Sequence, residues 1–453
     1  MVQQKQQNGN IVAIIMMIFL FGMISFVTNL ASPMGDVLKY SLKGQDIMIP
    51  NWIGTLGVFC NFIAYAVMGI PGGFLLQRRG YKFTALIAIS IGFAGVGIQT
   101  ISGLIPGISC LVVYLTGAFV AGFSMCLLNM VVNPMLNTLG GGGNRGNQLI
   151  QIGGSFNSLC GTAVIMLVGV LVGDIAKAQV SSVFPVMFIA LGIFALAFLV
   201  IAISTIPEIR KITDNTVEEK SQYSPLSFRH FIFGAIGIFV YVGVEVGIPN
   251  VLQKFLQNID LNVLQLTGTK EFIGEQAATV AGFVAGTYWF LMLIGRLTGA
   301  AIASKISAKT MLTFVSSLAL VLVLGAIISG NGNLVDLPTL QKSSEGALSF
   351  GLVKVPLSAA LLVLCGLCTS VMWGGIFNLA VEGLGKYTEK ASGFFMVMVC
   401  GGGILPLLQN GIVDLTGGTG YLTSYWVVVA GLAYLLYYAL IGSKNVNKDI
   451  PVN

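Results

Sequence analysis

Polar side chains recur at helical spacing inside two long apolar stretches of this chain. In the first stretch, Asn129, Asn133 and Asn137 follow one another at intervals of four residues, so a helix would place all three amides on one face. The second stretch carries Asn157 beside a stripe of four polar residues spaced by three or four positions: Gln148, Gln151, Ser155 and Ser158. Amides are costly against lipid, so both stripes should face a cavity or form hydrogen bonds with another helix.

Two acidic residues also fall within apolar stretches. Glu245 lies deep in one of them, shortly before Pro249, and Asp36 lies near the end of the first. A carboxylate is expensive inside a membrane and by default marks a path for an ion or a proton. The alternatives are structural hydrogen bonding for Glu245 and a solvated helix end for Asp36.

The composition requires a large apolar environment. Of 453 residues, 55% are hydrophobic and 9% charged, and the mean hydropathy is +0.89, whereas soluble domains carry about 25% charged residues. This excludes a soluble enzyme and a disordered regulator. The net charge of +6 is spread over short loops rather than gathered on one face, which also excludes a nucleic-acid binder. The apolar stretches are long and do not alternate, so they cross the bilayer as helices and not as barrel strands.

We predict twelve transmembrane helices, six on each side of the most charged segment of the chain. They lie near residues 11–35, 51–76, 82–104, 107–139, 148–173, 182–206, 231–257, 273–304, 310–329, 356–384, 391–413 and 421–442. This layout gives an N-terminal six-helix bundle over residues 1–206, a cytoplasmic central loop over 207–230 and a C-terminal six-helix bundle over 231–453.

The distribution of basic residues orients these helices. With both termini in the cytoplasm, 16 of the 23 lysines and arginines lie inside, as the positive-inside rule requires. The seven that lie outside are Lys39, Lys43, Lys177, Lys254, Lys270, Lys342 and Lys354.

The two halves carry similar interruptions. Polar segments with a proline, at residues 29–33 and 247–250, are expected to break the first and seventh helices, and glycine-rich segments occupy 153–161 in the fifth and 401–411 in the eleventh. Helices interrupted at matching places in two halves are typical of secondary transporters, whose site lies between the repeats.

One loop resembles a signature of the major facilitator superfamily. The segment GIPGGFLLQRRGYK (69–82) is similar to the pattern Gly-x-x-x-Asp-Arg-x-x-Gly-Arg-Lys, with Gln77 in place of the acid. In that signature small residues let helices 2 and 11 approach closely, and basic residues brace the inner gate, here Arg78 and Arg79. A positive-inside anchor is the alternative explanation of the loop.

Longer strings resemble one family within it, the fucose permease and glucose–galactose transporter family of sugar:cation symporters. They include FVYVGVEVGIPN (239–250), LIGRLTGAAIASKI (293–306), VEGLGKYTEKASGFFMVMVCGGGILP (381–406), NPMLNTLG (133–140) and QIGGSFNSLCG (151–161). The resemblance implies an all-α membrane protein with twelve transmembrane helices in two pseudo-symmetric six-helix bundles. It also implies a bacterial inner membrane location. We expect a monomer without cofactor or metal.

A sugar site needs neutral donors and acceptors together with an apolar surface for the ring. The resemblance carries Asn157 over as a sugar ligand, and two tryptophans could stack on the ring or serve only packing. The expected substrate-binding set is Asn129, Asn133, Gln151, Asn157, Glu245, Trp289, Trp373, Asn378 and Gln409. Arg296, in the GRLTG string, resembles the family's inner-gate arginine, with a partner near Glu382 or at a helix carbonyl.

The ion-coupling residues depart from the family pattern. Asn129 stands where the fucose-permease pattern has an acid, and Ser32 stands where it has an aspartate on the first helix. Glu245 and Asp36 are therefore the coupling candidates, and proton symport, sodium symport and uncoupled diffusion all stay open.

We expect this chain to take up a monosaccharide, a hexose such as glucose or galactose, with fucose as a further option. Its partners would be the sugar, a coupling cation and the lipid bilayer. Alternatives are an uncoupled facilitator, an exporter of small molecules and a membrane sugar sensor that does not transport. The sequence lacks a paired acid–base set, a nucleotide-binding loop and a metal-ligand cluster, which disfavours an enzyme.

Overall fold

The computed structural model of this chain is predominantly helical. It describes residues 2–43, 50–140, 143–172, 178–204, 223–258, 265–266, 277–302, 306–342, 348–447 and 449–451. Most of the central loop expected over 207–230 lies outside these ranges, and only its part from residue 223 onwards is described.

Within the described ranges, 11 helices are long and apolar enough to cross a membrane. One of them, Leu56–Ser102, has 47 residues and is about 70 Å long at 1.5 Å per residue, roughly twice the thickness of a bilayer core. It bends at Gly80, whose φ of 80° favours glycine. Its two arms, residues 56–79 and 81–102, therefore account for two crossings, so the described ranges contain the predicted twelve.

We number the crossing helices in chain order. They are α1 (Val2–Lys43), α2 and α3 (the two arms of Leu56–Ser102), α4 (Ser109–Leu139), α5 (Gly143–Val172), α6 (Phe184–Ile203), α7 (Arg229–Asn258), α8 (Ala277–Ile302), α9 (Ala308–Ser329), α10 (Leu357–Val381), α11 (Gly393–Leu415) and α12 (Tyr421–Gly442). Shorter helical turns lie at Asn51–Gly54, Val180–Val183, Pro225–Ser227 and Gly385–Tyr387.

The predicted breaks in α1 and α7 are wrong. Both helices run without interruption through Pro33 and Pro249, because a proline removes a single N–H donor and packing against neighbouring helices holds the remaining turns. Interruptions lie instead in α10, between Thr369 and Met372, in α11, between Met398 and Gly401, and in α12, at Tyr425.

A repeated contact relates the two halves. At the start of α3, Lys82 donates hydrogen bonds to the carbonyl oxygens of Ala202 (2.9 Å) and Ser204 (2.7 Å) at the end of α6. At the start of α9, Lys309 donates to the carbonyl of Leu440 at the end of α12 (3.0 Å). A lysine suits the C-terminal end of a helix, where carbonyls lack partners. The third helix of each half therefore caps the sixth helix of the same half.

A small antiparallel sheet, absent from the sequence prediction, covers one end of the molecule. Its strands are β1 (Gln265–Leu266), β2 (Leu334–Lys342) and β3 (Leu348–Pro356), in the order β1-β3-β2. In β3, Val353 and Val355 are buried while Leu352 is exposed, the alternation of a half-buried strand. The sheet joins the connections that follow α7 and α9, so both connections lie at one end, which we call the sheet face.

The two bundles meet along two helix pairs. In one pair α5 packs against α8, and in the other α2 packs against α11. Gly69 of α2 lies against the backbone of Val397, because a glycine has no side chain to hold the two helices apart. Gly403 of α11 packs in the same way against Phe59. Between these pairs the bundles separate and leave a space.

Candidate functional site

A central cavity with a volume of about 170 Å³ lies between the two bundles. Its walls come from α1, α2, α4 and α5 on one side and from α7, α8, α10 and α11 on the other. Eight of the residues singled out in the sequence border it: Asn129, Asn133, Gln151, Asn157, Glu245, Trp289, Arg296 and Trp373.

The amides of α4 form a short chain of hydrogen bonds on the cavity wall. Asn129 Nδ2 donates to the Tyr65 hydroxyl of α2 (3.0 Å) and to the carbonyl of Met125 (3.1 Å). Asn133 Nδ2 donates to the carbonyl of Asn129 (3.0 Å). Asn133 Oδ1 is buried and has no partner among the described residues. The third member of the predicted stripe, Asn137, has a side chain that lies outside the described set.

The cavity face of α5 differs from the predicted stripe. Gln151, Gly154 and Asn157 line the cavity, and Asn157 Nδ2 donates to the carbonyl of Phe21 on α1 (2.9 Å). Ser155 and Ser158 do not border the cavity and are buried. The helix is rotated so that positions 151, 154 and 157 point inward, which the spacing of polar residues alone did not reveal.

An ion pair inside the cavity connects both bundles. Arg296 Nη2 of α8 lies 3.3 Å from Glu245 Oε1 of α7, and Arg296 Nη1 donates to the carbonyl of Gly154 on α5 (2.5 Å). Arg296 is 9% exposed. Its partners are thus Glu245 and a helix carbonyl, and the Glu382 region considered from sequence contacts His230 instead. One arginine binds helices from the two halves of the chain.

Aromatic side chains of the C-terminal bundle form the apolar part of the wall. Trp373 lies with its ring centroid 6.1 Å from that of Tyr241, and Trp289 packs edge-on against Tyr288 at 5.6 Å. Both tryptophans border the cavity. Amides from one bundle therefore share a single space with indoles from the other.

Two predicted ligands lie away from this space. Asn378 is exposed and follows Trp373 by five residues, a rotation of about 140° around α10. Gln409 is fully buried and lies ten residues beyond the cavity residue Val399, or about 15 Å along α11. Neither residue borders the cavity in this structure, and their roles as substrate ligands stay predictions.

Asp36 lies between the bundles and does not border the cavity. It is 1% exposed, and its Oδ2 accepts hydrogen bonds from Gln253 (3.3 Å) and Gln257 (3.4 Å) of α7. It is therefore not the solvated helix-end acid considered from sequence.

Arg78 and Arg79 lie at the end opposite the sheet face. Both are exposed, and Arg79 lies over the ring of Phe83 at 5.5 Å. Within the described part of the chain neither arginine forms an ion pair. Among the residues that the structure describes, these two arginines have no partner in the other bundle.

Sequence reasoning missed a buried lysine between the bundles. Lys254 of α7, 2% exposed, donates to Thr55 Oγ1 (2.5 Å) and Asn410 Oδ1 (3.1 Å). Nearby, the backbone N–H of Trp52 donates to Asp414 Oδ2 of α11 (2.9 Å). Together with Asp36, these residues form what we call the sheet-face latch. The sequence did contain a signal for this contact. A lysine in the last turns of an apolar helix carries a charge that must be compensated by partners.

A polar cavity between two bundles of membrane-crossing helices, with one end closed by contacts between the bundles, defines a secondary transporter. Comparison with known proteins agrees with this class. The sequence profile of the Major Facilitator Superfamily matches residues 12–407. The chain belongs to this superfamily and is a membrane transporter, not an enzyme.

Sequence identity to individual relatives is low. The chain is 28% identical over 451 residues to the "Glucose/galactose transporter" of Brucella abortus biovar 1 (strain 9-941), covering 98% of this chain and 96% of the relative. It is 21% identical over 417 residues to the "L-fucose-proton symporter" of Escherichia coli (strain K12), covering 86% and 85%. The crystal structure of the E. coli fucose:proton symporter superposes with a TM-score of 0.68 at 18% identity, covering 96% of this chain and 100% of that one. This likeness supports the predicted fold of twelve helices in two bundles.

Proposed function

We propose that this chain takes up a monosaccharide, most specifically a hexose such as glucose or galactose, by symport with a proton or a sodium ion. The observation that carries the proposal is the shared cavity, in which Asn129, Asn133, Gln151 and Asn157 meet Trp289 and Trp373. Amides match the hydroxyls of a sugar, and indoles match the apolar face of its ring. The names of the relatives support the same substrate class.

The size of the cavity suits a molecule of this class. A cavity needs about 10–15 Å³ to hold one water, so 170 Å³ holds on the order of ten waters. A hexose has twelve heavy atoms. A single sugar can therefore replace most of the water and touch both bundles at once.

Glu245 is the proposed coupling residue, because it is the carboxylate that borders the cavity among the described residues. In this state its charge is compensated by Arg296. Binding of a proton or a sodium ion at Glu245 would weaken the ion pair and release Arg296 from the α5 carbonyl. The contact between α5 and α8 would then loosen only when the cation is bound.

We place the protein in the bacterial inner membrane with both termini in the cytoplasm and the sheet face outside. The excess of basic residues on the other face supports this orientation. The sheet-face latch would then close the external end, and transport would alternate as residues 1–206 and 231–453 tilt about the cavity. The connecting loop over 207–230 would stay cytoplasmic.

An uncoupled facilitator is the second candidate function. Asn129 cannot exchange a proton, and Glu245 is already paired with Arg296. These two observations favour passive transport of the same sugars.

Counterflow in proteoliposomes tests the proposal. Vesicles loaded with unlabelled sugar are diluted into labelled glucose, galactose, fucose or a pentose, and counterflow of a hexose is expected. Imposed proton and sodium gradients are then tested separately for accumulation. Accumulation with one gradient identifies the cation, whereas counterflow without accumulation identifies a facilitator. A lack of counterflow with every sugar would overturn the monosaccharide assignment.

The variant Glu245→Gln tests the coupling role. It is expected to abolish accumulation driven by the gradient while counterflow persists, because the amide keeps the shape of the side chain and loses the charge. Glu382→Gln makes the same change at an exposed carboxylate that does not border the cavity, and it serves as the control. Unchanged accumulation by Glu245→Gln would place coupling elsewhere.

A further inference from the structure

Thr28 of α1 departs from most of the helical threonines that the structure describes. Its Oγ1 atom is buried and has no hydrogen-bond partner among the described residues, although the residue borders the cavity. A threonine within a helix ordinarily donates to the carbonyl three or four residues earlier. Nine others here do so: Thr84, Thr100, Thr116, Thr138, Thr162, Thr287, Thr298, Thr313 and Thr369. The Thr28 hydroxyl forgoes that bond.

Tyr241 of α7 presents a second hydroxyl of this kind. The residue is fully buried and borders the same cavity. Its hydroxyl faces the Glu245 carboxylate, but the two groups do not meet normal hydrogen-bond geometry, and no other described residue is its partner. Tyr288, its neighbour on α8, instead bonds with Thr369 at 2.8 Å.

The two hydroxyls and the unpaired Asn133 Oδ1 come from three helices that surround one space. A buried polar group without a partner is costly, and native proteins keep such groups where a ligand or water completes them. Thr28 and Asn133 belong to the N-terminal bundle and Tyr241 to the C-terminal bundle. The set offers two groups that can donate or accept and one that only accepts.

We propose that Thr28 and Tyr241 are direct ligands of the substrate hydroxyls, one from each bundle, with Asn133 Oδ1 accepting from a third hydroxyl. This inference rests on the proposed sugar transport and names two specificity-determining residues within it. A polyhydroxylated ring would complete all three groups and connect the bundles through hydrogen bonds. A molecule without hydroxyls at these positions would leave them unpaired and would bind more weakly.

Two variants that remove only a hydroxyl test the proposal: Thr28→Val and Tyr241→Phe. Equilibrium binding of a hexose to purified protein is measured by isothermal titration calorimetry, using the sugar that gives counterflow with the unmodified protein. Each variant is expected to raise Kd about tenfold or more. Each variant should also lose the preference for the parent sugar over one monodeoxy derivative. The variant lacks the protein hydroxyl that binds one sugar hydroxyl, so removing that sugar hydroxyl no longer weakens binding.

Matched controls lie outside the cavity. Tyr438 and Ser316 also have buried hydroxyls without a partner among the described residues, and neither borders the cavity. Tyr438→Phe and Ser316→Ala should therefore keep the Kd of the unmodified protein. Unchanged Kd and unchanged preference among deoxy sugars in Thr28→Val and Tyr241→Phe would overturn the inference. An absence of sugar binding by the unmodified protein would instead overturn the proposed function.

Discussion

The Arg296 side chain of α8 contacts two other helices at once. It is compensated by Glu245 of α7 and donates to Gly154 of α5, and the side chains of Arg296 and Glu245 are largely buried. Buried charges are tolerated only in such pairs, since removing one partner leaves the other charge uncompensated. The pair therefore acts as a unit, and the role of either residue is best judged by removing both.

At the residue scale, Glu245→Gln should destabilise the protein more than the double variant Glu245→Gln, Arg296→Gln. The single change leaves a buried guanidinium without its anion, at a cost of about 3–5 kcal/mol, and the second change removes that charge. Thermal unfolding of purified protein in detergent measures the difference. Equal or greater destabilisation of the double variant would show that the ion pair is not the source of the effect.

Close helix contacts in this fold depend on glycine at a few defined positions. Gly69 of α2 is one: a Cβ placed there would lie 2.6 Å from Val397 Cγ2 and 3.0 Å from the Val397 backbone nitrogen. Gly73, one turn further along α2, has open space around its own Cβ position. Glycine at position 69 therefore permits close contact between the bundles, whereas glycine at position 73 takes no part in such a contact.

At the element scale, Gly69→Ala and Gly73→Ala should act in opposite directions. The first forces α2 away from α11, and overpacking of this kind costs about 1–3 kcal/mol. The second gains the usual advantage of alanine in a helix, about 1 kcal/mol. Thermal unfolding and initial rates of hexose uptake are measured for both. Similar behaviour of the two variants would mean that the α2–α11 contact does not limit stability or transport.

The whole molecule is held closed at the sheet face by contacts that must break during alternating access. Lys254 bonds to Thr55, Asp36 to Gln253, and Asp414 to the backbone of Trp52. Each bond joins the N-terminal bundle to the C-terminal bundle. The latch combines charges with neutral donors, so its loss should shift the balance between conformations without unfolding either bundle.

At the scale of the whole molecule, Lys254→Met should favour opening at the sheet face. Val58 of α2 borders the cavity and is 2% exposed, so Val58→Cys reports access to the cavity once the seven native cysteines are replaced by serine. A membrane-impermeant thiol reagent is expected to modify this cysteine several-fold faster when Lys254→Met is also present. Lys354→Met, on strand β3, removes the same charge outside the latch and serves as the control. Equal protection of the cysteine in both backgrounds would contradict a closing role for Lys254.

Much of the site could be predicted because helical spacing is a local property. Asn129 and Asn133 lie four residues apart and share a face in any helix, and both border the cavity. Asn378 and Gln409 do not border the cavity, since the sequence identifies the helix of each residue but leaves the rotation and depth of that helix open. Thr28 and Tyr241 gave no signal in the sequence, since a threonine or tyrosine in an apolar helix usually finds a partner nearby.

The sequence by itself determined the membrane location, the twelve crossings and the superfamily, because apolar length, glycine and proline act within a single segment of chain. Only the tertiary structure decided which face of α5 points inward, which helices Arg296 connects and how Lys254 is compensated. Those contacts join residues 142 and 199 positions apart. The periodicity of each helix is compatible with many rotations, and packing between the two bundles selects one of them.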